Sequence, residues 1–197
     1  MKAFAKMAAV VVLVAVAAGA IGLWWISMHR FSAKAAPGRL EAIAARQLRR
    51  LATGRGAREL SNPVPGTPEA LHEGMEHYAD HCAVCHANDG SGDTEMGRGL
   101  YPKAPDMRLP ATQSLTDGEL FLIIENGVRF TGMPAWSTET PAGEQDSWRL
   151  VHFIRHLTEL TPAEVAHMET LTPRSPAEIR EQTEEEKFLA GETPANR

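Results

Sequence analysis

Cysteine is scarce in this sequence, and no segment alternates polar and apolar residues in the manner of a β-strand. Cys82 and Cys85 are the only two cysteines in 197 residues, which excludes a framework of disulfides and a zinc site made of four thiolates. Because strand-length alternation is lacking, the periodic segments favour helices separated by loops. The length allows one domain of ordinary size together with a membrane anchor and tails.

Positive charge is also scarce over most of the chain, because the basic residues are concentrated near the N-terminus. Residues 29–60 contain eight lysines and arginines against two glutamates, whereas residues 61–197 have a formal net charge of −13. An acidic domain is steered toward basic protein partners and away from nucleic acid. The basic segment suits the anionic head groups of membrane lipid, and ordinary solvated surface is the alternative.

One long apolar run lies close to the N-terminus. Every residue from Met7 to Ile26 is apolar or glycine, and about 20 such residues are enough to cross the hydrocarbon core of a bilayer. Trp24 and Trp25 stand where an interfacial aromatic belt is expected, and His29 and Arg30 close the run. A cleaved signal peptide is the alternative, but its apolar region is usually only about 7–15 residues long. The sequence therefore predicts a retained membrane-spanning helix.

Beyond this helix, the sequence predicts further helices with long loops between them. Apolar residues at helical spacing over 40–51 indicate an amphipathic helix, and a linker rich in Gly and Pro follows. Helices are predicted from Pro68 to Asp80, from Thr116 to Asn126 and from Gln145 to Leu160, whereas residues 87–114 are expected to form a long loop around a cofactor. The predicted organisation is a transmembrane anchor at 1–29, a basic amphipathic stalk and linker at 30–66, a domain at 67–160 and an acidic tail at 161–197.

The cysteines belong to one compact motif, Cys82-Ala83-Val84-Cys85-His86. Two thiols at this spacing can each add to one vinyl group of a haem, and the adjacent histidine can then ligate the iron. A redox dithiol would need a thioredoxin-like βαβ setting, which a helical sequence lacks. Zinc could recruit His81, but adjacent Cys and His at both ends would strain a tetrahedral site. The motif therefore predicts one covalently bound haem c, with His86 as the proximal iron ligand.

The second axial ligand must come from farther along the chain. Met133 lies between Gly132 and Pro134, which favour a tight loop whose backbone can approach a cofactor closely. A thioether ligand favours ferrous iron and raises the reduction potential. The competing methionines are Met96, Met107 and Met168.

In these features the sequence resembles the class I cytochromes c. The resemblance covers about residues 68–160 and rests on the Cys-x-x-Cys-His motif, Gly132-Met133-Pro134, the four-residue spacing of Gly74, Tyr78 and Cys82, and the pair Leu150 and Phe153. It implies an all-α fold around one haem, with Met133 as the distal ligand. It also implies that a proline carbonyl orients His86, for which Pro102 and Pro105 are both candidates. Trp136 is expected against the haem or its propionates, or else in the core.

The function that this resemblance implies is electron transfer rather than enzymatic catalysis. The expected partners are redox proteins that act as electron donor and acceptor, with no small-molecule substrate. Haem of this kind is attached outside the cytoplasm, which implies a cytoplasmic N-terminus and a haem domain on the periplasmic side of a bacterial inner membrane. A haem-based gas sensor, in which Met133 leaves the iron open, is an alternative of a different class. A subunit of an oxidase, reductase or dehydrogenase complex is compatible with the carrier.

Overall fold

The computed structural model of the chain describes residues 2–28, 32–33, 35–54, 56–173 and 176–190. Within these ranges the secondary structure is entirely helical and no strand is present, which confirms the predicted all-α class. The chain divides into two compact units, Met1–Ala35 and Ala36–Arg197.

The first unit consists mainly of one helix, α1, which spans Lys2–Met28. Its stretch Lys6–Met28 is long and apolar enough to cross a membrane. This agrees with the predicted anchor, although His29 and Arg30, which were expected to close it, lie outside the described residues.

The second unit contains the remaining elements. In chain order they are α2 (Arg39–Thr53), α3 (Gly56–Glu59), α4 (Pro68–His77), a π-helical turn (Tyr78–Cys82), α5 (Ala83–His86), α6 (Glu95–Gly99), α7 (Pro110–Gln113), α8 (Asp117–Asn126), α9 (Pro141–His156), α10 (Pro162–Leu171) and α11 (Pro176–Leu189).

Threonine side chains define where the main helices begin. The hydroxyl of each capping threonine accepts a hydrogen bond from a backbone N–H in the first turn of its helix. The capping residues are Thr67, Thr94, Thr116, Thr140 and Thr161. Such a cap satisfies one of the N–H groups that a helix start leaves without an internal partner. The cap at Thr140, with Pro141 at the first helical position, starts α9 four residues before the predicted Gln145.

The core lies where α4 and α9 cross, with α8 packed beside them. The rings of Tyr78 and Phe153 have their centroids 4.9 Å apart at an interplanar angle of 54°, and both residues are fully buried. Phe121 of α8 stacks on Trp148 of α9 at 4.1 Å. These aromatic contacts join α9 to α8 and to the π-helical turn that continues α4.

The described part of the predicted stalk makes contact with the rest of its unit. Ala57 of α3 is buried, and the guanidinium of Arg58 lies 3.0 Å from the carboxylate of Glu119 on α8. The hydroxyl of Tyr101 donates a hydrogen bond of 2.5 Å to Glu41 of α2. The apolar residues of α2 remain exposed, as Leu40, Ile43, Leu48 and Leu51 all are.

The predicted tail begins with a helix that packs on the core. Met168 of α10 is fully buried within the apolar cluster, and the ring of His156 lies 2.9 Å from the carboxylate of Glu164. The hydroxyl of Thr172 donates to the side chain of Asn88 at 2.8 Å. The boundary at residue 160 stays a prediction, but α10 shares the core of the domain that precedes it.

Candidate cofactor site

The two cysteines and His86 follow directly from the first helix of the core. The N–H of Ala83 donates to the carbonyl of Tyr78, five residues earlier, which closes the π-helical turn that ends at Cys82. Cys85 and His86 then occupy the short helix α5, which ends where Ala87 takes a positive φ of 60°. The structure thus brings Cys82, Cys85 and His86 together on one short helical segment, and the two thiols are not joined to each other.

His86 is a largely buried imidazole with an unused nitrogen. Its Nδ1 atom has no hydrogen-bond partner among the described residues. Burial lowers the pKa of His86, while the backbone carbonyl of Pro105, which acts on the same ring, raises it by a smaller amount. The lowered pKa keeps the imidazole neutral near pH 7, and a neutral imidazole is the form that ligates metal ions.

The loop after His86 is folded back against the segment that carries the cysteines. The N–H of Gly92 donates to the carbonyl of His86, and the N–H of Met107 donates to the carbonyl of Gly90, both at 2.8 Å. Gly92 has a φ of 72°, and a Cβ there would lie 3.0 Å from the carbonyl oxygen of Pro105. Pro105 is therefore held beside this turn by a close backbone approach that only glycine permits.

Met133 lies in a loop that is fastened to the end of α8. The N–H of Val128 donates to the carbonyl of Met133 at 3.1 Å, and the N–H of Trp136 donates to the carbonyl of Ile124 at 3.1 Å. The N–H of Met133 itself donates to the hydroxyl of Thr131 at 3.1 Å. Met133 is half-buried, and its position is set by these backbone bonds.

The methionine loop also contacts the loop that follows His86. A Cβ on Gly132 would overlap the side chain of Leu100, whose atoms lie on that side of the chain. Pro102 is exposed in the same stretch. The structure therefore brings the Met133 loop and the loop after His86 into contact through Gly132 and Leu100.

Two of the competing methionines are committed to packing. Met107 and Met168 are buried in the apolar core, the second with no exposed surface, whereas Met96 is 54% exposed. A buried methionine in a filled core is held by its neighbours and acts as a gap filler.

Trp136 packs against His81, the first residue of the segment 81–86 that carries the cysteines and His86, which we call the attachment segment. Its indole meets the ring of His81 edge to face, with centroids 5.4 Å apart and an interplanar angle of 86°. The ring of His81 in turn lies 4.8 Å from that of His77. Half-buried beside the core, Trp136 lies close to the residue that immediately precedes Cys82.

Thr94 is a positioning residue that the sequence analysis did not identify. Its hydroxyl donates to the carbonyl of Val84 at 2.8 Å and accepts from the N–H of Gly97 at 2.8 Å. A Cβ on Gly97 would overlap the carbonyl of Cys85. The spacing Thr94-x-x-Gly97, a threonine cap followed by a glycine, is the signal that could have predicted this contact with α5.

The donor set fits a covalent haem better than a thiolate site. Burial raises the pKa of the Cys82 thiol to about 12, with a smaller contribution from Cys85, and burial also raises the pKa of Cys85. A redox dithiol or a zinc site requires easily formed thiolates. Among the described residues, the groups close enough to share a metal ion include neither cysteine. Unpaired thiols, an adjacent imidazole whose pKa is lowered by burial and a backbone-held thioether together suit haem c.

Comparison with known proteins identifies the same region. Residues 69–154 match the family model described as cytochrome c oxidase, cbb3-type, subunit III. A curated protein of Azorhizobium caulinodans named Cbb3-type cytochrome c oxidase subunit FixP is 33% identical over 84 residues, which are 40% of this chain and 25% of that protein. The chain thus spans about a quarter of the length of this relative. The matched residues contain the cysteines, His86 and Met133, so the part of the chain that is similar to these c-type cytochrome subunits is the part that holds the candidate site.

Proposed function

We propose that this chain transfers single electrons through one haem c, bound to Cys82 and Cys85 and ligated by His86 and Met133. The observation that carries the proposal is the state of His86. Its Nδ1 atom is buried, burial lowers its pKa, and it directly follows two unpaired cysteines. The sequence contains a single Cys-x-x-Cys-His motif, which supports one haem per chain.

The residues of the site hold and orient the cofactor. When bound, haem c supplies a one-electron couple between ferric and ferrous iron. Cys82 at the end of the π-helical turn and Cys85 on α5 would hold its edge. The imidazole of His86 would be oriented from the side of Pro105, which we favour over the exposed Pro102 because the Pro105 carbonyl acts on the ring. Met133 supplies a thioether on a loop that backbone hydrogen bonds hold to α8. No residue of the site needs to gain or lose a proton during transfer.

Met133 is favoured as the distal ligand because its competitors are otherwise occupied or exposed. Met107 and Met168 fill the core, and Met96 projects into solvent. Met133 is half-buried next to Gly132, which contacts the loop after His86. Its own N–H is held by Thr131, so the loop has a fixed backbone from which a thioether can reach the cofactor.

The partner that we propose is a terminal oxidase. The relative is named a subunit of a cbb3-type cytochrome c oxidase, and the matched family carries the same description. We therefore place this chain as an electron-carrying subunit or donor of such a complex. The orientation that suits this role has the N-terminus in the cytoplasm and the haem domain in the periplasm. Protease added to spheroplasts should then digest the haem domain, while a cytoplasmic control protein stays intact.

Visible spectroscopy of the purified, haem-loaded chain tests the proposed ligands. The reduced protein should show sharp low-spin haem c bands that CO does not move. Met133→Ala should open the iron to CO, whereas the matched variant Met96→Ala should retain the wild-type spectrum. Low-spin bands that persist in Met133→Ala with no CO response would refute Met133 as the ligand. A large CO shift in the wild-type protein would favour a gas sensor, and absence of a haem spectrum would refute the proposed function itself.

A further inference from the structure

A cluster of potential metal ligands lies outside the cofactor site, where α4 meets α10. It consists of His72 and Glu76 on α4 and His167 on α10, and one ligand atom from each lies within 4.8 Å of the others. The Nε2 atom of His72 is 3.4 Å from a carboxylate oxygen of Glu76. The rings of His72 and His167 are nearly parallel, at 16°, with centroids 5.9 Å apart. All three residues are exposed.

The backbone of this cluster is held in place without any help from the three side chains. His72 and Glu76 are one helical turn apart, a spacing that puts both side chains on the same side of α4. His167 directly precedes Met168, which is fully buried in the core. The pairs His156–Glu164 and Thr172–Asn88 fasten both ends of α10. The two helices therefore present the three ligands at a junction that packing has already fixed.

The geometry suits a divalent transition-metal ion. Bonds of about 2.0–2.1 Å from zinc to imidazole place neighbouring ligand atoms of a tetrahedron about 3.3–3.4 Å apart. The distance between His72 and Glu76 already has this value, and the ligand atom of the exposed His167 lies within 4.8 Å of both. Two imidazoles and one carboxylate leave a fourth position for water, as in open zinc sites. Imidazole ligands favour copper and zinc over magnesium and calcium.

The surroundings add negative charge. A groove of about 450 Å³ next to the cluster is lined in part by Glu73, Glu76 and Asp80, of which Glu73 is paired with Arg149 at 2.6 Å. Carboxylates in a concave surface raise the local concentration of cations. Glu76 belongs to both the groove and the cluster. A cation attracted to the groove is therefore next to the two imidazoles of the cluster.

We propose that His72, Glu76 and His167 form a binding site for one divalent copper or zinc ion. The ion bridges α4, the helix that leads into the haem attachment segment, and α10, which lies beyond the residues 69–154 that match the cytochrome family. Its binding fastens the C-terminal extension to the haem domain. This site is separate from the proposed haem site, and its existence does not depend on the identity of the proposed electron partner.

Calorimetric titration with Zn²⁺ tests the site in the full-length, oxidised, haem-loaded chain in detergent, carrying no polyhistidine tag. We expect one equivalent of Zn²⁺ to bind to the wild-type protein, and His72→Gln and His167→Gln each to weaken binding at least about tenfold. The control is His81→Gln, which removes one of the two histidines that line the groove outside the cluster and should retain one equivalent. An unchanged haem spectrum in every variant shows that the domain remains folded.

Electron paramagnetic resonance with one equivalent of Cu²⁺ provides a readout of the ligands themselves. The wild-type spectrum should contain splitting from two imidazole nitrogens, and that of His167→Gln from one. The proposal is overturned if the wild-type chain binds neither ion. It is equally overturned if binding is lost in His81→Gln and retained in His167→Gln, which would place the ion in the groove.

Discussion

Gly74 of α4 faces the backbone carbonyl of Arg149 on α9 so closely that a Cβ at position 74 would overlap it, and the same Cβ would lie 3.3 Å from Cβ of Phe153. The two helices therefore cross with their backbones almost in contact. Because the obstacle is backbone and not a flexible side chain, a larger residue can be accepted only if the helices move apart.

Gly74→Ala should consequently destabilise the haem domain. Separation of α4 from α9 loosens the packing around Tyr78 and Phe153, and overpacking of this kind costs about 1–3 kcal/mol. The measurement is chemical denaturation of the haem-loaded chain followed by circular dichroism. The matched control is Gly99→Ala, because an added Cβ there has no heavy atom within 4 Å. Equal stability of the two variants would contradict the crossing described above.

Tyr78→Phe should weaken the attachment segment without disturbing the aromatic core. The Tyr78 hydroxyl donates to the carbonyl of Ala87 at 3.0 Å, and burial holds the pKa of Tyr78 well above its ordinary value, so the donor stays protonated. The variant keeps the contact with Phe153 but removes this hydrogen bond, while the Ala87 carbonyl still accepts from the N–H of Gly90, so the expected cost is that of one hydrogen bond, about 0.5–1.5 kcal/mol. Denaturation midpoints provide the measurement. Tyr101→Phe, which removes an exposed hydroxyl, should have the smaller effect, and the reverse order would be inconsistent with this account.

The carboxylate of Glu119 should make stability depend on acid pH. Burial raises the pKa of Glu119, but hydrogen bonds from Thr116 and Arg58 outweigh it, and the net pKa is below its ordinary value. A lowered folded-state pKa contributes stability above the unfolded pKa, and this contribution is lost as the pH falls through the folded value. Glu119→Gln should therefore be less stable than wild type by about 1 kcal/mol at neutral pH, with the difference shrinking as the pH falls.

Stability curves against pH for wild type and two variants check this prediction. Glu144→Gln, at an exposed position on α9, serves as the control and should follow the wild-type curve in parallel. A constant difference between wild type and Glu119→Gln at every pH would mean that the effect arises from packing and not from charge.

The apolar side of α2 should contact lipid. Leu51 is 77% exposed and Leu40 is 83% exposed, on a helix that follows the membrane-spanning segment in sequence and carries several arginines. Such a helix lies at the interface of anionic membranes. A spin label on Leu51→Cys, in the haem-loaded chain in anionic nanodiscs, should be more accessible to oxygen than to a water-soluble nickel chelate. A label on Ala45→Cys, on another side of α2, should show the opposite preference. Identical accessibility at both positions would indicate a solvated stalk.

Local signals in the sequence explain why much of the fold was predictable. Thr116 with Glu119 marked the start of α8 and Gly127 its end, and the structure places both there. Thr67 and Pro68 did the same for α4. The start of α9 was predicted too late, because the polar first turn after Pro141 carries no apolar periodicity and only the cap at Thr140 reveals it.

Features that depend on distant contacts were not predictable in this way. The π-helical turn and the short helices α6 and α7 have no periodic pattern of their own. They form where the chain fits against other elements, since α6 packs against α5 and Gln113 of α7 donates a hydrogen bond to the carbonyl of Ile154 on α9. The motif of Cys82, Cys85 and His86 is local and could be read directly. The choice between Pro102 and Pro105 depends on how a loop folds back, as the close approach of Gly92 to Pro105 shows. Participation of Thr94 depends on the same fold.

The π-helical turn has a consequence for how one helix serves two tasks. In an uninterrupted α-helix, residues 74, 78, 82 and 86 would form a single stripe, because each is about one turn from the next. The turn at Tyr78–Cys82 accommodates an extra residue, which rotates everything after it by about 100° relative to what precedes. The stripe is thereby split, so that Gly74 and Tyr78 face α9 while the residues after the turn are rotated away from the line that these two define. Deletion of one residue from this turn would restore the single stripe. The cofactor and α9 would then require the same side of the helix that runs from α4 to α5.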